Sequence, residues 1–169
     1  MTTQLARTTQ NEVHSVAVKA TGDLFSVIAT KPIAQDETIL FIDGRLTDRP
    51  SRYSVQISET EHIDLDEQAL IDATPSRYLW RYLNHHCQPN ARLDGRYLRA
   101  NKDIDVGDEV TFNYNTNEYE MASPFPCWCH AEDDGKARVI AGYKHLDLNE
   151  RAALTGQVAK HVLKLAGEV

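Results

Sequence analysis

Asn84-His85-His86-Cys87-Gln88-Pro89-Asn90 is the stretch on which the reading of this sequence turns. Alone it describes a helix cap and a bend, because asparagine and proline favour both. His85 and Cys87 also pair an imidazole with a thiol, but the nucleophile and base of a cysteine protease usually meet in space rather than along the chain. Downstream, Gly107-Asp108-Glu109-Val110-Thr111-Phe112-Asn113-Tyr114-Asn115 reads as a turn feeding a strand with aromatic packing. A third group, Cys127-Trp128-Cys129-His130, is half of a metal site or two ordinary thiols. Each group alone is commonplace; the information lies in their order.

Outward from these groups the chain is strand-rich. Valines at 13, 16 and 18 start an alternating pattern, continued over residues 24–30, 37–43, 52–58 and 61–66. Thr74 and Pro75 read as N-cap and first turn of a short helix, with Tyr78, Leu79, Tyr82 and Leu83 on one face. Asp94-Gly95 between residues 91–93 and 96–100 signals a hairpin, and residues 109–114 form a further strand. A weak echo links Lys31-Pro32-Ile33 through Ile39 with Lys102-Asp103-Ile104 through Thr111; both are a turn feeding a strand. Asp147 and Glu150 fit a capping box, followed by Leu154, Val158, Val162 and Leu165 at helical spacing. The pattern predicts a mostly β (α+β) fold with a flexible tail over residues 1–12 and a C-terminal α-helix over 147–169.

The chain has 169 residues, a formal charge of −7 and three cysteines, Cys87, Cys127 and Cys129. That is one domain with a core that needs no disulfide staples. The acidic balance argues against a protein that coats nucleic acid by counterion release and is compatible with a basic partner. No run of about 18 apolar residues predicts a membrane span. The odd cysteine count and the lack of an apolar leader predict a cytoplasmic protein, or a nuclear or host-directed one if exported by a signal-less route.

Taken together, the three groups resemble the SET-domain protein lysine methyltransferases. Residues 84–90 are similar to the family's N-H-x-C-x-P-N motif. Glu109, Thr111 and Tyr114 match its G-E-E-L-T-x-D-Y motif, and Cys127-Trp128-Cys129 is similar to the C-x-C of the segment that follows the SET domain. The resemblance implies a SET fold over residues 13–122, a reduced post-SET segment over 123–146, several small curved β-sheets, a knot-like core and short 3-10 or α helices. It implies S-adenosylmethionine on one face and a lysine of a protein substrate, a histone being the familiar case, entering a narrow aromatic channel from the other.

The resemblance also assigns residues. Tyr114 is expected where methyl, sulfur and amine line up, with its hydroxyl orienting the amine. Asn84 and His85 are expected to hold the cofactor, with Arg81, Tyr82, Tyr53, Trp128 and backbone groups of Gly22, Asp23, Leu24 and Phe25 as further contacts. Phe112 occupies the position that sets product state. Without a hydroxyl there, di- or trimethylation is allowed. The family's G-x-G loop is reduced here to Gly22. Relatives hold zinc with four thiolates; here Cys87, Cys127 and Cys129 remain, and the fourth position falls on Asp134, with His130 as its rival and a metal-free segment as the remaining reading. Two alternatives to the enzyme are a catalytically impaired SET-fold binding module and a zinc-binding interaction domain. Oligomeric state is not legible.

Overall fold

The alternating stretches at the two ends of the SET-like region pair with neighbours rather than forming one large sheet. A computed structural model describes residues 15–65, 78–129 and 134–169. The expected N-terminal tail, the Thr74-Pro75 helix start and His130 lie outside the described residues. In chain order the strands are β1 (Val16–Thr21), β2 (Leu24–Ala29), β3 (Thr38–Phe41), β4 (Arg45–Thr47), β5 (Val55–Gln56), β6 (His62–Asp64), β7 (Asn84–His85), β8 (Ala91–Asp94), β9 (Tyr97–Ala100), β10 (Thr111–Phe112), β11 (Phe125–Cys127) and β12 (Arg138–Ile140). They form five small sheets: β1-β2, β3-β9-β8, β4-β6-β5, β7-β10 and β11-β12. The architecture is mostly β, as the strand-rich sequence predicts.

Among the described residues only the β7-β10 pair is parallel, with Thr111 opposite Asn84 and Phe112 opposite His85. The two long motifs are thus laid side by side. Asn90 ties them further: its Nδ2 donates to the Glu109 carbonyl (2.8 Å), and its Oδ1 accepts from the Thr111 amide (2.9 Å). Beneath this crossing lies one apolar core, in which Val27, Ile42, Ile63, Leu98 and Val110 are fully enclosed.

The weak sequence echo has a structural meaning. Ile33 and Ile104 exchange both backbone hydrogen bonds, at 3.0 and 2.9 Å, so the two turns face each other. The flanks repeat the relation: the Asp36 amide donates to the Ala100 carbonyl, and the Gly107 amide to the Ala29 carbonyl. Asp36 and Gly107 occupy equivalent places and both have positive φ, 65° and 92°. The same turn is built twice, around a local pseudo-twofold axis.

Several boundaries differ from the expectation. The expected helix around Tyr78–Leu83 is a short 3-10 turn, η1 (Leu79–Tyr82), and Trp80 is buried with Leu79 and Leu83. The strand expected over 109–114 is a ladder at Thr111–Phe112, with Glu109 in a separate antiparallel bridge to Ile28, and it ends where Tyr114 opens a second 3-10 turn, η2 (Tyr114–Thr116), capped by the Asn113 side chain. The single C-terminal helix over 147–169 is a correction: it is two helices, α1 (Leu148–Ala153) and α2 (Lys160–Ala166). Gly156, at φ 79°, turns the chain between them. The capping box is present, with Asp147 accepting from the Glu150 amide at 2.9 Å and its own amide donating to Glu150 at 2.8 Å. Val162 at the predicted apolar spacing is fully buried, and the Ala159 amide donates to the Thr116 carbonyl, so α2 is docked onto η2.

Candidate active site

Tyr114 stands where β10 ends and η2 begins. Its hydroxyl donates to the Leu83 carbonyl (2.5 Å), and its amide donates to His85 Nδ1 (3.0 Å). Burial pushes the phenol well above its usual range, with the Glu118 and Glu109 carboxylates adding to the effect. Tyr114 is therefore neutral at physiological pH, a hydrogen-bonding hydroxyl and not a phenolate base. Phe112 (4.8 Å between ring centroids), His85 (5.3 Å) and Phe125 (5.8 Å) pack around its ring.

Two clefts meet at this tyrosine. The first, about 520 Å³, is lined by Tyr53, Val55, Arg81, Leu83, Phe112, Tyr114, Glu118 and Met121 among others. The second, more open at about 1220 Å³, is lined by Tyr53, Arg81, Leu83, Asn84, His85, Tyr114, Pro124 and Phe125 among others. Tyr53, Arg81, Leu83 and Tyr114 border both. Arg81 lies over the Tyr53 ring at 4.2 Å, which fixes both side chains at the shared rim. The arrangement offers two approaches to one point, suited to transfer between two bound molecules.

Asn84 is held from two sides. Its Nδ2 donates to the Phe25 carbonyl (2.9 Å) and to Glu109 Oε1 (2.8 Å). The Phe25 ring packs on Tyr82 at 5.3 Å. Phe25 is thus tied to the site, whereas Gly22 and Asp23 form an exposed hairpin turn, and Leu24, the first residue of β2, is 75% exposed. Trp128 is 61% exposed and borders neither cleft.

Because His85 Nδ1 accepts the Tyr114 amide, the neutral ring carries its proton on Nε2, which lies 3.3 Å from Cys87 Sγ. His85 therefore links the tyrosine to the cysteines. The ligand atoms of His85, Cys87, Cys127 and Cys129 all lie within 4.8 Å of one another. Cys127 and Cys129 sulfurs are 3.1 Å apart, and the Cys87 amide donates to Cys129 Sγ (3.4 Å). Burial raises the Cys87 and Cys127 thiols; at Cys129 burial also acts upward, but hydrogen bonds from Cys127 and Cys87 outweigh it and the thiol falls. Three soft donors and a nitrogen at this spacing suit a tetrahedral metal.

Asp134, expected as the fourth ligand, is placed elsewhere. Its carboxylate accepts from the Lys136 amide (3.0 Å) and pairs with Arg138 Nη2 (3.2 Å), while His85 stands at the sulfurs. For His85 Nε2 to bind a metal as a neutral imidazole, its proton must move to Nδ1, and the Tyr114 amide would lose its acceptor.

Sequence reasoning missed Glu118. It is buried, and it borders the first cleft. Its Oε1 accepts from the Gln56 amide (2.8 Å), and His62 Nε2 is 3.8 Å from Oε2. Burial raises its carboxyl to about 7, against the hydrogen bonds from Gln56 and Asn117. The local signal was the polar run from Asn113 to Glu118, which follows a buried strand where an apolar continuation would be expected.

Comparison with known proteins agrees with this geometry. A profile of the SET domain matches residues 25–115, more than half of the chain. A histone-lysine N-methyltransferase, H3 lysine-36 specific, of Aspergillus oryzae is 35% identical over 96 residues, covering 52% of this chain and 10% of the relative. The protein of the same name from Candida albicans is 32% identical over 120 residues, covering 62% and 14%. The histone-lysine N-methyltransferase mes-4 of Caenorhabditis elegans is 33% identical over 135 residues, covering 64% and 15%. The chain thus spans only a small part of the length of these relatives. With the profile matched across both motifs and the two motifs paired as parallel strands at Tyr114, the chain belongs to the SET-domain family.

Proposed function

We propose that the protein is an S-adenosylmethionine-dependent methyltransferase acting on the side-chain amine of a protein lysine. The observation that carries this reading is the meeting of two clefts at Tyr114. The larger cleft takes the cofactor. Its aromatic rings suit a sulfonium cation and an adenine, and the Arg52 and Arg81 guanidiniums at its rim suit the cofactor's carboxylate. Asn84 and His85 contribute polar groups to the same cleft. Bound there, the cofactor supplies an electrophilic methyl group.

The smaller cleft takes the lysine. Phe112 and Tyr114 enclose its inner end, and their rings exclude water from the amine. Tyr114 Oη, fixed at the Leu83 carbonyl, presents its oxygen lone pairs toward the reacting nitrogen and holds it in line. The substrate class is a basic protein segment, consistent with the charge of −7. The names of the relatives make histone H3 the first substrate to try, which would favour a nuclear site of action.

Cys87, Cys127 and Cys129 would hold a structural zinc, with His85 close enough to be the fourth donor. Such a metal would pin the β11-β12 hairpin against β7, beside the cofactor cleft. Calorimetry separates the enzyme and the cofactor-binding module from a plain zinc-binding interaction domain. S-adenosylmethionine is expected to bind, and Asn84→Ala to weaken it; the absence of heat and of any thermal shift with the wild-type protein would contradict cofactor use.

A further inference from the structure

Among the described residues Glu118 is the only carboxylate bordering the smaller cleft, and it is buried, as are its fellow lining residues Val55, Leu83 and Phe112. Three elements hold it there. Its amide closes η2 on the Tyr114 carbonyl (2.9 Å), its carbonyl accepts from the Tyr143 amide (2.9 Å), and its Oε1 accepts from the Gln56 amide on β5 (2.8 Å). No lysine or arginine forms an ion pair with it among the described residues; the nearby base is His62, 3.8 Å away. Burial lowers the pKa of His62, so that ring is neutral near pH 7 and leaves the carboxylate uncompensated. A buried carboxylate without a cationic partner is costly, and in a cleft that admits a cation its missing partner is the ligand.

We propose that Glu118 is the catalytic residue that receives the substrate lysine: it binds the incoming ammonium and takes its proton before methyl transfer. This rests on the reading of the protein as a lysine methyltransferase. In the step, an N–H bond of the ammonium breaks, its electron pair remains on nitrogen, and an O–H bond forms on Glu118. The freed pair then forms the new bond to the methyl carbon of the sulfonium donor, while the electrons of the broken S–C bond stay on sulfur. Glu118 returns its proton to solvent before the next turnover.

The electrostatic surroundings support the assignment. Arg52 and Arg81 at the rim are engaged with the Tyr53 ring, at 5.5 and 4.2 Å, and Arg81 also lies 3.9 Å from Asp64. His161 on α2 binds the Asn117 carbonyl (2.9 Å) and, like Asp64, acts on His62; it faces the Glu59–Lys164 pair beyond. Tyr114 is neutral over the working range. Among the described residues of this cleft, Glu118 is the group whose raised value, about 7, lies near neutrality.

The test uses whichever lysine peptide of a histone-derived library the wild-type protein methylates fastest, together with the same peptide carrying norleucine at the target. Glu118→Gln keeps an oxygen for the Gln56 amide, and an unchanged melting curve at pH 5 verifies its fold. At pH 8 without cofactor, the variant is expected to bind the lysine peptide at least about tenfold more weakly and the norleucine peptide unchanged, as for loss of a charged hydrogen-bond partner. Wild-type kcat/KM should rise through pH 7 and then level off. In the variant it should keep rising about tenfold per pH unit, toward the lysine pKa of about 10.4. Equal weakening of both peptides, or a levelling profile in the variant, would overturn the role of Glu118 while leaving the methyltransferase reading intact. No methylated peptide with the wild-type protein would overturn both.

Discussion

Phe112 and Tyr114 lie with ring centroids 4.8 Å apart, and only Phe112 is confined to the smaller cleft. A hydroxyl added there would occupy the space a methylated amine needs and would anchor a water. Phe112→Tyr is therefore expected to shift products toward monomethyl-lysine; unchanged product ratios by mass spectrometry would contradict this. Glu118 makes a second prediction, about stability. Its folded pKa, about 7, lies above the ordinary value of 4.5. The folded chain thus holds this proton more tightly. That contribution is fully present below about pH 4.5 and is lost as pH rises through 7. Glu118→Gln, which never ionises, should gain stability relative to wild type between pH 5 and pH 8 in chemical denaturation. A difference that does not change with pH would count against it. Trading stability for a charged site is a common feature of functional positions.

At the scale of elements, η2 is the hub: it carries Tyr114, presents Glu118 and is braced from behind. Gly142, at φ 105°, lets its amide reach Asn115 Oδ1 (3.0 Å) while its Cα lies against the Tyr119 carbonyl. A Cβ there would stand 2.6 Å from that oxygen. Gly142→Ala should cost about 2 kcal/mol or more, as strain and steric overlap both oppose it; an unaltered denaturation midpoint would contradict this. The cysteine-bearing β11-β12 hairpin predicts metal. Protein purified without chelator should hold about one equivalent of zinc, lost in Cys127→Ser and kept in Asp134→Ala. Less than about a tenth of an equivalent in the wild type would end the zinc reading.

These elements also show what the sequence could and could not reveal. The grouping of Asn84, His85, Phe112 and Tyr114 at one place was legible because they lie in two local motifs, which the fold brings into one parallel pair. Glu118 was not, because its burial depends on Gln56 and His62, strands away in the chain. Spacing along a C-x-C pattern pointed to Asp134 as the fourth ligand; it could not reveal that Arg138, four residues on at the start of β12, pairs with that carboxylate, or that His85 reaches the sulfurs from another strand. Of the residues at C-terminal helical spacing, Val162 is buried and Leu154, Val158 and Leu165 are half-buried, and Gly156 divides what period alone reads as continuous.

For the molecule as a whole, the described residues contain no helix long and apolar enough to cross a membrane. Its charge of −7 suits a basic substrate, and its clefts converge on one tyrosine. The most direct measurement is turnover: the protein is incubated with S-adenosylmethionine and histone H3 or a lysine peptide array, and the products are read by mass spectrometry. Methyl groups are predicted on lysine side chains, with Tyr114→Phe reducing the rate by about a hundredfold or more, as for removal of a positioned hydroxyl at the reacting centre. Cofactor binding without any lysine methylation, or a Tyr114→Phe variant as active as wild type, would contradict the account.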